Sequence, residues 1–209
     1  MLKVKICGIT NLEDALLAEK LGADILGFVF FPKSPRYLSS VKAGKIIVQL
    51  SPLTRKVGVF VNDPPKKVLQ AAKQLNLDFV QLAGDESEAY IKKIQKEFPV
   101  IRAFRVGEDF RISLLQNSPA AIKLADAKVD GFYGGSGKSF DWRKLAGLRG
   151  DSALVLAGGI GKGNLREAYE ALRPAAVDLT SSVEARPGKK DAVKLKEFFE
   201  VMNEIRLGR

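Results

Sequence analysis

The sequence predicts a closed (β/α)8 barrel, an α/β fold, and three observations predict it. Short apolar runs rich in β-branched residues alternate with amphipathic stretches along the whole chain, the pattern of a parallel sheet. Eight such runs occur, each followed by a helical stretch. Glycine and polar residues collect just after the runs, where a barrel of this kind carries its site. The 209 residues sit at the small end of the fold's range. An open doubly wound sheet is the main competitor; it usually has about five or six strands and an early glycine-rich phosphate turn. The early turn here, Cys7-Gly8-Ile9-Thr10-Asn11, has one glycine. No Pro/Gly/Ser-rich linker or composition break divides residues 1–209, so a single domain is expected.

In chain order, strands are expected at Val4 to Ile9, Asp24 to Phe30, Lys56 to Val61, Phe79 to Leu82, Val100 to Val106, Ala121 to Ala125, Ala153 to Ala157 and Ala176 to Thr180. Helices are expected at Leu12 to Leu21, Val41 to Leu50, Pro65 to Leu75, Ser87 to Phe98, Phe110 to Gln116, Trp142 to Leu148, Asn164 to Leu172 and Asp191 to Ile205. Asn11 is placed to cap the first of these, with Asp14 three residues on, and Pro65 suits a first turn.

Composition narrows the chemistry. A single cysteine excludes an internal disulfide, and the absence of histidine removes the commonest metal ligand and the commonest neutral-pH acid or base. Catalysis falls to carboxylates, lysines, tyrosines or Cys7. The formal charge of +10 suits either nucleic acid or small anionic substrates. Its basic residues are scattered, as in Lys92-Lys93 and Lys194-Leu195-Lys196, so a small anionic substrate is expected and nucleic acid is not. No apolar run approaches the roughly 18–20 residues that span a bilayer. The N-terminus lacks the layout of a signal peptide, and no membrane association and a cytoplasmic location are expected. Monomer and homodimer both suit such a barrel.

Side chains alternate across a strand, so Val4 and Ile6 should face the helices while Lys5 and Cys7 point into the barrel. A buried lysine needs a partner, and Asp178 in the strand that closes against the first is the candidate. Asp126, across the barrel, could flank a ligand opposite Cys7. Each has a plainer reading: Cys7 as a small buried hydrophobe, Asp126 as a helix cap or loop hydrogen bond. Gly158-Gly159 and Ser181-Ser182 occupy the two loops that in many barrels bind phosphate through backbone N–H groups. The run Gly134-Gly135-Ser136-Gly137-Lys138 lacks the glycine a nucleotide P-loop needs, since Phe132 stands there. It reads instead as an active-site loop, with Gly134 and Gly135 expected to contact substrate and Phe140-Asp141-Trp142 anchoring its end. Arg36, in Ser34-Pro35-Arg36-Tyr37, suits bidentate recognition of a carboxylate or, more plainly, a surface ion pair.

Over essentially its whole length the chain resembles the phosphoribosylanthranilate isomerase family of tryptophan biosynthesis. The carriers are Val4-Lys5-Ile6-Cys7-Gly8-Ile9-Thr10, Gly27-Phe28-Val29-Phe30 with Pro32-Lys33-Ser34-Pro35-Arg36-Tyr37, Val57-Gly58-Val59-Phe60-Val61-Asn62, Gln81-Leu82 with Gly84-Asp85-Glu86, Tyr133-Gly134-Gly135-Ser136-Gly137-Lys138 with Phe140-Asp141-Trp142, Leu156-Ala157-Gly158-Gly159-Ile160, and Val177-Asp178. The resemblance implies an Amadori rearrangement of N-(5-phospho-β-D-ribosyl)anthranilate with Cys7 as general base and Asp126 as general acid. It implies that Arg36 holds the anthranilate carboxylate, and no metal or cofactor is expected. The chain departs from the family at Ala83, usually histidine, and at Ser182, usually glycine in the Ser-Ser-Gly-Val-Glu segment. Two alternatives stand beside this reading: a broader sugar-phosphate isomerase that also accepts a histidine-pathway substrate, and a silent phosphate- or nucleic-acid-binding barrel.

Overall fold

The computed structural model describes residues 1–128 and 139–208. Eight parallel strands hydrogen-bond in sequence order and close into a barrel: β1 (Lys3–Cys7), β2 (Ile25–Val29), β3 (Arg55–Phe60), β4 (Phe79–Leu82), β5 (Val100–Val106), β6 (Ile122–Ala127), β7 (Leu154–Leu156) and β8 (Ala176–Leu179). The β8–β1 pairing that closes it sets Lys5 opposite Asp178. Helices follow the strands: α1 (Leu12–Leu21), α2 (Ser40–Ile47), α3 (Pro65–Gln74), α4 (Glu88–Gln95), α5 (Ser113–Gln116), α6 (Leu165–Leu172) and α7 (Ala192–Arg206), with a 3₁₀ helix at Trp142–Leu148 before β7.

The two-residue period of each strand divides the apolar residues into two clusters. Val4, Ile6, Leu26, Phe28, Phe60, Val80 and Leu82 point outward and pack under the helices. Cys7, Val29, Val57, Val59, Ile101, Leu124, Val155 and Ala176 point inward and fill the barrel. The interior is therefore a packed plug, and ligand space opens only toward the C-terminal ends of the strands.

Helix ends follow local chemistry. Asn11 Oδ1 accepts from the Asp14 N–H at 2.9 Å, the expected cap, and Pro65 lies in the first turn of α3. Ser39 and Ser87 cap α2 and α4 by the same device. Four expectations need correction. Strand β6 runs to Ala127, so Asp126 lies within it. Helix α5 begins only at Ser113, since Ile112 offers no side-chain cap. Trp142–Leu148 is 3₁₀ rather than α; Trp142, Leu145 and Leu148 repeat every three residues, the period of that helix, and bury on one side. After a short 3₁₀ turn at Ser181–Val183, an unforeseen hairpin, β9 (Glu184–Arg186) with β10 (Lys189–Lys190), precedes α7.

Candidate active site

Cys7 ends β1 and is buried, with Lys5 one layer beneath it. Lys5 is only 1% exposed, and its Nζ donates to both carboxylate oxygens of Asp178 at 2.9 Å. The expected ion pair is present. Gly27 lies opposite Cys7 on β2, and a Cβ there would stand 2.7 Å from Cys7 Sγ and 3.2 Å from Lys5 Nζ. The glycine makes the room that the thiol and ammonium share. Burial opposes charge on Lys5, but Asp178 and the Cys7 sulfur outweigh it and hold Lys5 above its ordinary value. Burial also pushes the Cys7 thiol up, and the nearby ammonium groups of Lys5 and Lys190 offset this only in part. Burial thus favours the protonated thiol.

Asp126 projects inward from β6, and its Oδ1 accepts from the Ala127 N–H at 2.8 Å. Gly158 packs against this turn with φ of 80°; a Cβ there would come within 2.7 Å of the Ala127 nitrogen. Only glycine fits both the backbone sign and the space. Gly159 follows with φ of 68°. Asn164 holds the turn from both sides, Oδ1 accepting from the Gly161 N–H at 2.8 Å and Nδ2 donating to the Gly159 carbonyl at 3.0 Å. Gly158, Gly159, Ser181 and Ser182 line one small pocket, which Asp126 and Asp178 also border. Gly134 and Gly135 lie outside the described residues.

The small pocket adjoins a larger cleft at the barrel mouth, about 660 Å³ of space open to solvent. Cys7, Arg36, Gln81, Asp126, Asp178 and Thr180 bring polar groups to it, and Val59, Val61, Ala83, Ala103 and Leu124 supply apolar wall. Cys7 and Asp126, 119 positions apart by their numbers, thus line one cavity. Arg36 is already paired within the protein. Its Nε and Nη2 are taken up by Glu184, at 3.0 and 2.7 Å, so that its bidentate edge serves the protein itself. Nη1 is the guanidinium nitrogen with no partner among the described residues.

A profile of the N-(5'phosphoribosyl)anthranilate (PRA) isomerase family matches residues 4–201. The chain belongs to that family. It is similar to N-(5'-phosphoribosyl)anthranilate isomerase of Pelobacter propionicus, 43% identical over 206 residues that cover 99% of this chain and 98% of the relative. The crystal structure of phosphoribosyl anthranilate isomerase from Thermotoga maritima superposes with a TM-score of 0.90 at 42% identity, covering 97% of this chain and 99% of that one. A phosphoribosyl anthranilate isomerase in complex with reduced 1-(o-carboxyphenylamino)-1-deoxyribulose 5-phosphate matches at a TM-score of 0.87 and 41% identity, covering 97% and 99%.

Within this isomerase fold, two functional groups escaped the sequence reading, Glu184 and Lys190. Glu184 Oε1 accepts from Lys190 Nζ at 3.1 Å and from the Gly188 N–H at 3.2 Å, in addition to Arg36. Lys190 Nζ also donates to the carbonyls of Cys7 at 2.6 Å and Thr180 at 3.3 Å. The hairpin therefore straps the first strand, the eighth and the Arg36 loop together. Burial disfavours the charged form of Glu184, but Arg36 and Lys190 reverse this and hold it below the usual carboxylate range. The Pro187-Gly188 pair, a standard turn signal, was the clue available in the sequence; Gly188 has φ of 81°.

Proposed function

We propose that the enzyme converts N-(5-phospho-β-D-ribosyl)anthranilate to 1-(2-carboxyphenylamino)-1-deoxy-D-ribulose 5-phosphate by acid–base catalysis within this cleft. The observation that carries the reading is that Cys7 and Asp126 line one cavity, with a small glycine and serine pocket at one side and Arg36 in its wall. Asp126, protonated, gives its proton to the ribose ring oxygen as the C1'–O bond breaks, and the anilino nitrogen supplies the electrons for an iminium. The iminium makes the C2' proton acidic. Cys7 as thiolate removes it, and the C2'–H electrons form a C1'=C2' enolamine that neutralises the iminium. Tautomerisation moves the C2' hydroxyl proton out and a proton onto C1', leaving the ketone. C1' is reduced, C2' is oxidised, and no external oxidant or reductant enters.

Each positioned acid or base is typically worth about 10²- to 10⁴-fold. Backbone N–H groups of Gly158, Gly159, Ser181 and Ser182 are suited to the phosphate, and Arg36 Nη1 to the anthranilate carboxylate, with Glu184 fixing the guanidinium plane. Gly134 and Gly135 are assigned to substrate contact on the family resemblance. Mixing the protein with freshly made phosphoribosylanthranilate and following loss of anthranilate fluorescence tests the reaction. Cys7→Ser and Asp126→Asn should each slow turnover at least a hundredfold; undiminished turnover in both would overturn the roles, and no turnover in the parent would overturn the activity.

A further inference from the structure

One side chain in the wall of the cleft is left incomplete. Gln81 stands in the middle of β4, 5% exposed, and its Oε1 has no hydrogen-bond partner among the described residues. It shares its strand face with Phe79 and Ala83, which belong to the barrel interior, and it lines the cleft with Cys7 and Asp126. Its register neighbours on either side, Val59 and Ile101, are buried and apolar and offer it nothing. A buried carboxamide without partners destabilises the empty protein, whereas an apolar side chain of similar volume would not. What the carboxamide offers is therefore available to a molecule that enters.

The chemistry of the group limits what that molecule presents. A carboxamide is neutral, with one acceptor oxygen and two N–H donors. Phosphate and carboxylate groups would be repelled by Oε1 and are better served by backbone N–H groups and Arg36. A hydroxyl both donates and accepts, and matches a carboxamide on both counts. We propose that Gln81 is a substrate-positioning residue that hydrogen-bonds hydroxyl groups of the opened pentose chain between Cys7 and Asp126. The inference rests on the reaction proposed above. It adds the group that distinguishes a hydroxylated chain from a bare spacer of equal length, because a site built to pair a hydroxyl rejects an analogue lacking it.

Two ligands with the same charged ends test it: the reduced open-chain product, 1-(2-carboxyphenylamino)-1-deoxypentitol 5-phosphate, and its dehydroxylated counterpart, 5-(2-carboxyphenylamino)pentyl phosphate. Dissociation constants are measured by titrating anthranilate fluorescence with the parent, Gln81→Leu and Gln81→Met. The parent should prefer the pentitol, and the preference should fall at least fivefold in both variants, while the pentyl phosphate binds as before and neither variant melts below the parent. A smaller fall in the preference, or equal weakening of both ligands, would overturn the proposal. A parent that turns over phosphoribosylanthranilate while failing this comparison loses only the role of Gln81. A parent without turnover loses the proposed reaction and this inference with it.

Discussion

The β8–β1–β2 arc of the barrel mouth and the β3–β4–β5 arc facing it are built on opposite terms. On the first, Lys5, Asp178, Arg36, Glu184 and Lys190 are all buried, and each meets an opposite charge. On the second, Val59, Val61, Ala83 and Ala103 form an apolar stretch of wall around the buried, uncharged Gln81, with Arg105 at its edge and the Arg102–Glu86 ion pair beside it. The difference follows from the cost of incomplete pairing. A buried charge that loses its partner costs about 3–5 kcal/mol, whereas an unpaired amide costs about 1–3 kcal/mol. A group held ready for a ligand in a dry wall is therefore better neutral than charged. The charged arc, by contrast, pairs each buried charge with an opposite one, leaves Arg36 Nη1 without a partner among the described residues, and sets the geometry around Cys7.

The comparison can be broken most severely at Lys5. Lys5→Met leaves Asp178 buried without its ammonium and should cost about 3–5 kcal/mol, read from urea unfolding. The double variant Lys5→Met/Asp178→Leu should recover most of that loss; if the single variant unfolds within about 1 kcal/mol of the parent, as an exposed ion pair would, the arc is not held by its charges. Glu184→Gln strips the carboxylate from between Arg36 and Lys190. We expect a loss at the lower end of the same range, about 3 kcal/mol, together with a rise in KM and little change in kcat. An unchanged KM would detach Arg36 from substrate binding.

A third prediction concerns pH. Burial holds the Cys7 thiol above its ordinary value even with Lys5 beside it. A base must be ionised to act, so in Asp126→Asn, which has no acidic proton to lose as pH rises, the residual kcat/KM should climb between pH 7 and 9, approaching about tenfold per unit where the thiol is mostly protonated. A profile flat across that range would remove the thiolate from the rate-limiting chemistry. The smallest effect is expected at the pocket between the arcs. Gly158→Ala forces a Cβ toward the Ala127 nitrogen at positive φ, and should cost about 1–3 kcal/mol with weakened binding of phosphate-bearing ligands. Scanning calorimetry reads the stability, and calorimetric titration with the pentitol phosphate reads the affinity.

Much of this was legible in the residues. Alternation of short β-branched runs with amphipathic stretches is a property of the backbone repeat, and it gave all eight barrel strands in order. The same two-residue period sent Lys5 and Cys7 inward, and closure of the barrel named Asp178 as the partner. Strand position pointed to Cys7 and Asp126 and the Ser-Pro-Arg segment to Arg36, and the cleft gathers all three.

Other features depend on packing that no local pattern encodes. Glu184 meets Arg36 across 148 positions of sequence, and only the return of the hairpin over the mouth brings them together. Burial, rather than the neighbouring lysine, decides the direction in which the Cys7 thiol is shifted, and burial is a property of the closed barrel. Gln81 carries no visible role in the sequence, since a glutamine in a strand is ordinary until both of its register neighbours prove apolar. The sequence by itself determined the order of elements and the faces of the strands, because those follow from periods of two and about 3.6 residues. The tertiary structure alone decided which polar groups are paired and which wait, because pairing depends on the register and closure that bring distant strands into one wall.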